Sequence, residues 1–361
     1  MAEGDAAESD SAGAAAGEFD PARLDAFLRD ALGLAGPMML ERVGGGQSNP
    51  TFFVTYPERR LVLRKRPAGT LLPSAHAVDR EFRVLSALAG SAVPVPMVLL
   101  FHAEPDVVGT AFYVMERLEG RVFHDTALAA AAPSERGPML RAMAETLAAL
   151  HDIDWRAAGL EDFGRPGNYF ARQIGRWTKQ WDAARFRDIP DLAELAAWLP
   201  EHIPAGEETV LCHGDYRMGN LMFHPTAPRL VAVLDWELST LGHPLADLAF
   251  SALAWHSRPE EYGGLLGLDL ASLSIPGENT YLDWYYRARR TGTGDRLQPF
   301  HLAFALFRFA VIFEGIAARA RAGTAAAANA AAVGDLSLAF ARHGIGVIQR
   351  TGRGEVNRTH R

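Results

Sequence analysis

Cysteine is almost absent, with Cys212 the single one in the chain. That excludes an intrachain disulfide and a cysteine-rich zinc site, and it fits a reducing compartment. Lysine is nearly as scarce. Of 36 basic residues only Lys65 and Lys179 are lysines, and neither precedes Ser or Thr. The Gly-Lys-Ser/Thr signature of a P-loop is therefore missing. No uncharged apolar run approaches the roughly 18 residues of a membrane span, and the first residues lack the basic and apolar regions of a signal peptide. Basic charge is also missing from the first eighteen residues, which hold five acids (Glu3, Asp5, Glu8, Asp10 and Glu18) of a chain with net charge −7. The rest is nearly neutral, so a nucleic-acid footprint is not indicated. The expectation is a cytoplasmic protein with no nucleic-acid and no membrane partner.

What is present suits a globular chain of 361 residues, 48% of them hydrophobic. That length predicts one large domain or two lobes around a cleft. Residues 1–18 read as a disordered acidic tail and 349–361 as a basic, fraying one. Asp20 and Pro21 mark a helix start and Gly33 its end, with Leu24, Phe27, Leu28 and Ala31 as the apolar face. Short apolar runs at 40–43, 51–56, 60–65, 98–102 and 111–115 predict five strands, with one helix inserted over 77–88. Between the first two runs lie Gly44, Gly45, Gly46, Gln47, Ser48 and Asn49. Such a turn is either a plain hairpin loop or a place where backbone N–H groups approach an anion. After residue 117 the pattern turns helical. Arg172 and Arg176 share a stripe on a helix over 168–181.

The chemistry concentrates between residues 210 and 250. An apolar strand ends at His213, Gly214 and Asp215; Asn220 follows five residues later, and a further strand ends on Asp235, Trp236 and Glu237. Carboxylates at the ends of buried strands need partners. Two of them beside an asparagine suggest a cation bound through oxygen, such as Mg2+.

The pattern His213-x-Asp215-x4-Asn220, with Asp235 twenty residues after Asp215, resembles the catalytic loop and metal-binding Asp of protein-kinase-like enzymes. Gly214 in place of Arg, and Asp235-Trp236-Glu237 in place of Asp-Phe-Gly, resemble the aminoglycoside phosphotransferase family. Gly46-Gln47-Ser48-Asn49-Pro50-Thr51, Leu63-Arg64-Lys65-Arg66-Pro67 and Phe307-Arg308 look like its branch of kinase-like domains fused to animal acyl-CoA dehydrogenases, with stand-alone bacterial relatives. The resemblance implies an α+β, two-lobed kinase-like fold. A small antiparallel lobe with one inserted helix would span 19–116, and a larger helical lobe 117–348.

It also implies ATP, or alternatively GTP, with Mg2+. Asp215 would act as catalytic base. Asn220 and Asp235 would hold the metal, with Glu237 adding a contact. His213 and Asp247 would support the loop. Gly45, Gly46, Ser48 and Asn49 would cover the phosphates, and Met115 and Arg117 would bracket the adenine-binding backbone. Strand alternation from Val62 favours Arg64 over Lys65 as the phosphate-binding base, paired with Glu81. The acceptor would be a small-molecule hydroxyl. Residues 251–361 carry thirteen arginines against nine acids, which suits an anionic molecule better than a polycationic antibiotic. Together with the branch resemblance this points to a hydroxyacyl-CoA or hydroxy acid, with Arg172, Arg176 and Arg308 as candidate contacts. An antibiotic kinase and a nucleotide-binding pseudokinase are the alternatives.

Overall fold

The computed structural model describes residues 18–44, 49–68, 77–323 and 330–356. The acidic stretch 1–17, Gly45, Gly46 and Ser48, and the end 357–361 lie outside the described residues. The chain divides into two compact units, residues 1–119 with 231–237, and residues 120–230 with 238–361. A linear boundary at 116–117 leaves out the short later segment that belongs to the first unit.

In the first unit α1 (Pro21–Leu32) begins where Asp20 accepts a hydrogen bond from the Ala22 N–H at 2.9 Å and ends at Gly33 with φ +67. The strands are β1 (Met39–Arg42), β2 (Thr51–Tyr56), β3 (Arg59–Lys65), β4 (Val98–His102) and β5 (Phe112–Glu116), and α2 (Val78–Leu88) is inserted after β3. They form an antiparallel sheet in the order β1-β2-β3-β5-β4. Alternation along β2 and β3 sends Phe52, Val54, Leu61 and Leu63 into a core with Leu24 and Leu28 of α1. Each leucine so buried contributes roughly 1.5–3 kcal/mol. Val62 and Arg64 are left for the opposite face. The register Arg64↔Tyr113 and Val62↔Met115 fixes their neighbours on β5.

The second unit contains β6 (Arg121–Val122), α3 (Pro133–His151), α4 (Tyr169–Ala184), α5 (Pro190–Glu201), β7 (Val210–Cys212) and β8 (Leu221–Phe223). β9 (Leu230–Val233) carries the chain into segment 231–237. Beyond that segment follow β10 (Thr240–Gly242), α6 (Pro244–Ala252), α7 (Glu278–Ala288), α8 (Pro299–Arg321) and α9 (Leu336–Val356). β7 pairs with β10 through Leu211↔Leu241 and Cys212↔Thr240. This short ladder fixes the strand end from which His213 and Asp215 project.

α8 is the spine of the unit, with Phe300, Phe304, Phe307 and Val311 buried against α4, α5 and α9. By length and apolar composition α8 could cross a membrane, yet 83% of its apolar window is buried inside the protein. α9 continues to Val356, into the segment read as a basic tail. Ile345, Val347 and Ile348 anchor it in the core.

Candidate active site

Two clusters of polar groups stand out, one in each unit. In the first unit the centre is Arg64. Its Nε lies 3.1 Å from Glu81 Oε2, and its Nη2 lies 2.9 Å from Asp235 Oδ1 and 3.9 Å from Glu237 Oε2. Burial alone would weaken the guanidinium charge, but Glu81, Tyr113 and Asp235 outweigh it and raise the arginine above its ordinary value. Burial pushes the Glu81 carboxyl up to about 7, against the pull of Arg64 and of the Tyr113 hydroxyl. Two groups donate hydrogen bonds to that carboxylate, the Tyr113 hydroxyl at 3.0 Å and the Asn49 Nδ2 at 2.5 Å, beside the ion pair with Arg64.

Asn49 was expected over the phosphates. It is 4% exposed and donates to Glu81 instead. Its Oδ1 is buried without a hydrogen-bond partner among the described residues. Gly45, Gly46 and Ser48 lie outside those residues. Lys65 occupies the opposite face of β3, 2% exposed, with its Nζ 5.2 Å from the Phe19 ring centroid. Alternation therefore separates it from the carboxylates that surround Arg64.

Asp235 has φ +64, a left-handed backbone that is uncommon outside glycine and that aspartate tolerates better than most residues. The following indole holds this turn, since Trp236 is buried and donates from Nε1 to the Val233 carbonyl at 2.9 Å. Strained aspartates of this kind cluster at functional sites.

Backbone geometry narrows what the end of β5 can offer. The Glu116 N–H donates to the Met97 carbonyl at 2.9 Å, and the Arg117 N–H to the Arg60 carbonyl at 3.0 Å. The Met97 N–H donates to the Glu116 carboxylate at 2.9 Å rather than closing the ladder on the Glu116 carbonyl. The Arg117 guanidinium stacks 3.6 Å from the Phe53 ring centroid.

The second cluster is built from backbone. Asp247, near the start of α6, accepts the His213 N–H at 2.6 Å on one oxygen and the Gly214 N–H at 2.9 Å on the other. Burial would raise this carboxyl. His151, His213 and the Gly214 N–H more than offset that, and it falls below its ordinary value. His151 completes the support: its Nε2 lies 3.5 Å from Asp247 and its Nδ1 2.8 Å from the Tyr285 hydroxyl. Gly214 has φ +84, and a Cβ there would lie 2.4 Å from the Leu238 carbonyl oxygen. Only glycine fits, which explains why the loop has no arginine at this position.

Asp215 follows, its N–H donating to His213 Nδ1 at 3.1 Å. Asn220 donates from Nδ2 to the Asp215 carboxylate at 2.7 Å and to the Asp215 carbonyl at 2.9 Å, so its own amide oxygen points away from this pair. Arg217 Nε lies 3.4 Å from Asp215 Oδ2.

The three candidate substrate arginines separate. Arg308 is 8% exposed, donates from Nη2 to the Gly214 carbonyl at 2.5 Å and lies between the Trp177 and Phe250 rings. It braces the loop, and that burial leaves little surface for a ligand. Arg172 donates to the Arg165 carbonyl and Arg176 is exposed beside Trp177. Neither reaches the loop. His151, Cys212 and Asp247 also bring potential metal-ligand atoms within 4.8 Å of one another. Each is otherwise engaged, and burial raises the Cys212 thiol well above its ordinary range, against the thiolate a metal needs.

Sequence reasoning missed Tyr113, His151 and Arg217. Tyr113 was recoverable from register, because it faces Arg64 across the ladder. Arg217 was recoverable from its place two residues after Asp215.

Comparison with known proteins agrees with this geometry. The phosphotransferase enzyme family APH matches residues 40–279. The chain is 42% identical over 323 residues to acyl-CoA dehydrogenase family member 10 of Mus musculus, covering 88% of this chain and 30% of that protein. It is 42% identical over 312 residues to the probable acyl-CoA dehydrogenase IBR3 of Arabidopsis thaliana, covering 81% of this chain and 38% of that protein. It thus spans about a third of the length of these relatives.

A Ralstonia eutropha protein classed with the aminoglycoside phosphotransferases superimposes with a TM-score of 0.82 at 43% identity, covering 92% of this chain and 99% of that one. A thermostable mutant of aminoglycoside phosphotransferase APH(4)-Ia, solved with ADP and hygromycin B, superimposes with a TM-score of 0.57 at 17% identity, covering 89% of this chain and 98% of that one. That second match speaks for the fold alone. With the five-stranded antiparallel sheet, the inserted helix and the larger helical part, the chain belongs to the APH family of phosphotransferase enzymes and has its kinase-like fold.

Proposed function

We propose that the protein transfers the γ-phosphoryl group of Mg·ATP to the hydroxyl of a small anionic molecule, a hydroxy acid or a hydroxyacyl-CoA. The observation that carries this reading is the Asp215 carboxylate, oriented by Asn220 on a loop that Asp247 holds through two backbone N–H groups. Phosphoryl transfer needs positioning and charge neutralisation more than covalent help. Asp215 takes the hydroxyl proton as the acceptor oxygen bonds to phosphorus, and the bond from the γ-phosphorus to the bridging oxygen breaks, releasing ADP. A positioned base of this kind is worth about 10²–10⁴-fold.

The donor set suits Mg2+. Asp235 and Glu237 present hard carboxylate oxygens that already converge on a cation, the Arg64 guanidinium. Asn220 offers its amide oxygen. When bound, Mg2+ would neutralise phosphate charge. Arg64 adds a fixed positive charge, and Glu81 and Tyr113 keep it aimed. At the end of β5, the Glu116 carbonyl and the Leu118 N–H are the backbone groups we assign to the purine, because the N–H groups of Glu116 and Arg117 serve the sheet. We place the reaction in the cytoplasm, where Mg·ATP and a reduced Cys212 coexist.

Two features support the acceptor class: the similarity to kinase-like regions of acyl-CoA dehydrogenase family members and the excess of arginine beyond residue 250. The fold shared with an enzyme solved with hygromycin B favours an antibiotic kinase as the second reading. ADP release with Mg·ATP, measured against hydroxyacyl-CoAs, free hydroxy acids and aminoglycosides, separates the two. Turnover on aminoglycosides alone would overturn the acceptor assignment. Tight Mg·ATP binding with no turnover on any acceptor would favour a pseudokinase.

A further inference from the structure

Beside the loop that carries Asp215, the second unit forms a partly open cavity of about 40 Å³ walled by Phe250, Trp255, Tyr262, Phe309 and Phe340. Arg217, Met218 and Gly219 of the same loop form one side of it. Arg217 links the cavity to the candidate base. Its Nε lies 3.4 Å from Asp215 Oδ2, while its guanidinium lies 5.5 Å from the Tyr262 ring centroid. The Tyr262 ring is held by Phe309 and Phe313, at centroid distances of 5.1 and 5.5 Å.

Two of the polar groups in the lining, Ser251 and Ser257, are satisfied internally. The Ser251 hydroxyl bonds to the Tyr281 hydroxyl, and the Ser257 hydroxyl donates to the Leu253 carbonyl at 3.1 Å. The walls offer a guest mainly aromatic and aliphatic contact, with His124, Thr126 and the Arg217 cation as the placed polar groups. A pocket with apolar walls and few placed polar groups is the ordinary form of a small-molecule site.

We infer that this cavity is the acceptor's tail subsite: it takes a short alkyl chain beyond the hydroxyl-bearing carbon while that hydroxyl meets Asp215. The inference rests on the proposed phosphotransfer and narrows its acceptor to hydroxy acids, or their esters and thioesters, that end in a short aliphatic tail. The volume admits roughly three water-sized groups, which corresponds to a propyl tail in order of magnitude. A hydroxyl at the chain end leaves the cavity empty, and a long tail does not fit. A methylene that finds its place in such a pocket is worth about 10-fold or more in kcat/KM.

The test uses the full chain and a graded set of secondary-alcohol hydroxy acids, from a methyl tail through propyl to hexyl, with a terminal alcohol as the tailless member. Ala254 lines the cavity, so Ala254→Val and Ala254→Leu fill it stepwise. In the wild type, kcat/KM should peak near the propyl tail. The two variants should move the optimum progressively toward the methyl and tailless members, by about 10-fold in the propyl-to-tailless ratio for Ala254→Leu.

A binding arm requires no turnover. The propyl member should raise the melting temperature of the wild type and not that of Ala254→Leu, while Mg·ATP should raise both. Equal stabilisation of the two proteins by the propyl member overturns the subsite, whatever the kinetics. A difference between them without any ADP release supports the subsite and overturns the phosphotransfer reading. Turnover with a tail preference that both variants leave unmoved overturns the subsite alone.

Discussion

The two units hold their functional groups by different means. In the first unit, side-chain charge does the holding: Arg64 is surrounded by Glu81, Asp235 and Glu237. In the second, backbone does it: one buried carboxylate, Asp247, grips two consecutive N–H groups, and Gly214 adopts a conformation that no other residue fits. Charge clusters tolerate small shifts, because Coulomb attraction falls off slowly with distance. Backbone grips do not, because hydrogen bonds fail steeply with angle and distance. The first unit should accordingly govern how well nucleotide binds, and the second how fast bound nucleotide reacts.

Substitutions can break that comparison or sharpen it. The largest effect short of removing the base is expected at Asp247. Asp247→Asn replaces one acceptor oxygen with an NH2 that faces a backbone N–H, leaving a buried donor unpaired at roughly 1–3 kcal/mol. Turnover should fall by about 10²-fold, as for a misplaced catalytic group, while the Kd for Mg·ATP stays near wild type. Next is Gly214→Ala. It demands a positive φ and a Cβ 2.4 Å from the Leu238 carbonyl, so the loop must move; a loss of about 1–3 kcal/mol should appear in denaturant unfolding, along with reduced kcat. An Asp247 or Gly214 variant that weakened nucleotide binding as much as turnover would break the division of labour.

Arg64→Lys probes the other side. It keeps the charge but loses the planar fork that meets two carboxylates at once. We expect KM for ATP to rise by about 10-fold, the scale of one charge-assisted bond, with a smaller change in kcat.

The smallest effect is a pH dependence. Glu81 has a carboxyl raised from 4.5 to about 7 by burial. An acid whose folded value lies above its unfolded one binds more protons when folded. Its stabilising contribution is thus full below about 4.5 and is lost as pH rises through about 7. Chemical denaturation of the nucleotide-free protein should show that decline, and Glu81→Gln should flatten it.

The same contrast explains what could be read from the sequence. Alternation located β2 at Thr51–Tyr56 and β4 at Val98–His102, and it put Arg64 rather than Lys65 on the face with Glu81, because strand period is a local property. Asp20, Pro21 and Gly33 announced α1 by local capping chemistry. What stayed hidden depends on distant chain. The bond from Asn49 to Glu81 joins a loop to a helix 32 residues later. Asp235 sits in the first unit only because segment 231–237 belongs to it. Arg308 read as a candidate contact for an anionic acceptor, and two aromatic rings with the Gly214 carbonyl enclose it. Residues 349–361 read as a fraying tail because they are polar and basic, whereas α9 runs on to Val356. Gly344 is there for close packing, since a Cβ would lie 2.6 Å from Leu195.

The most direct test pairs two readings on one variant, Asp215→Ala. Mg·ATP affinity is measured by titration, and ADP release by steady-state kinetics with the best hydroxyl acceptor. The account predicts an affinity within about twofold of wild type and turnover reduced by about 10²–10⁴-fold. Turnover close to wild type, or a loss explained wholly by weaker nucleotide binding, would contradict Asp215 as the base and the assignment of chemistry to the second unit.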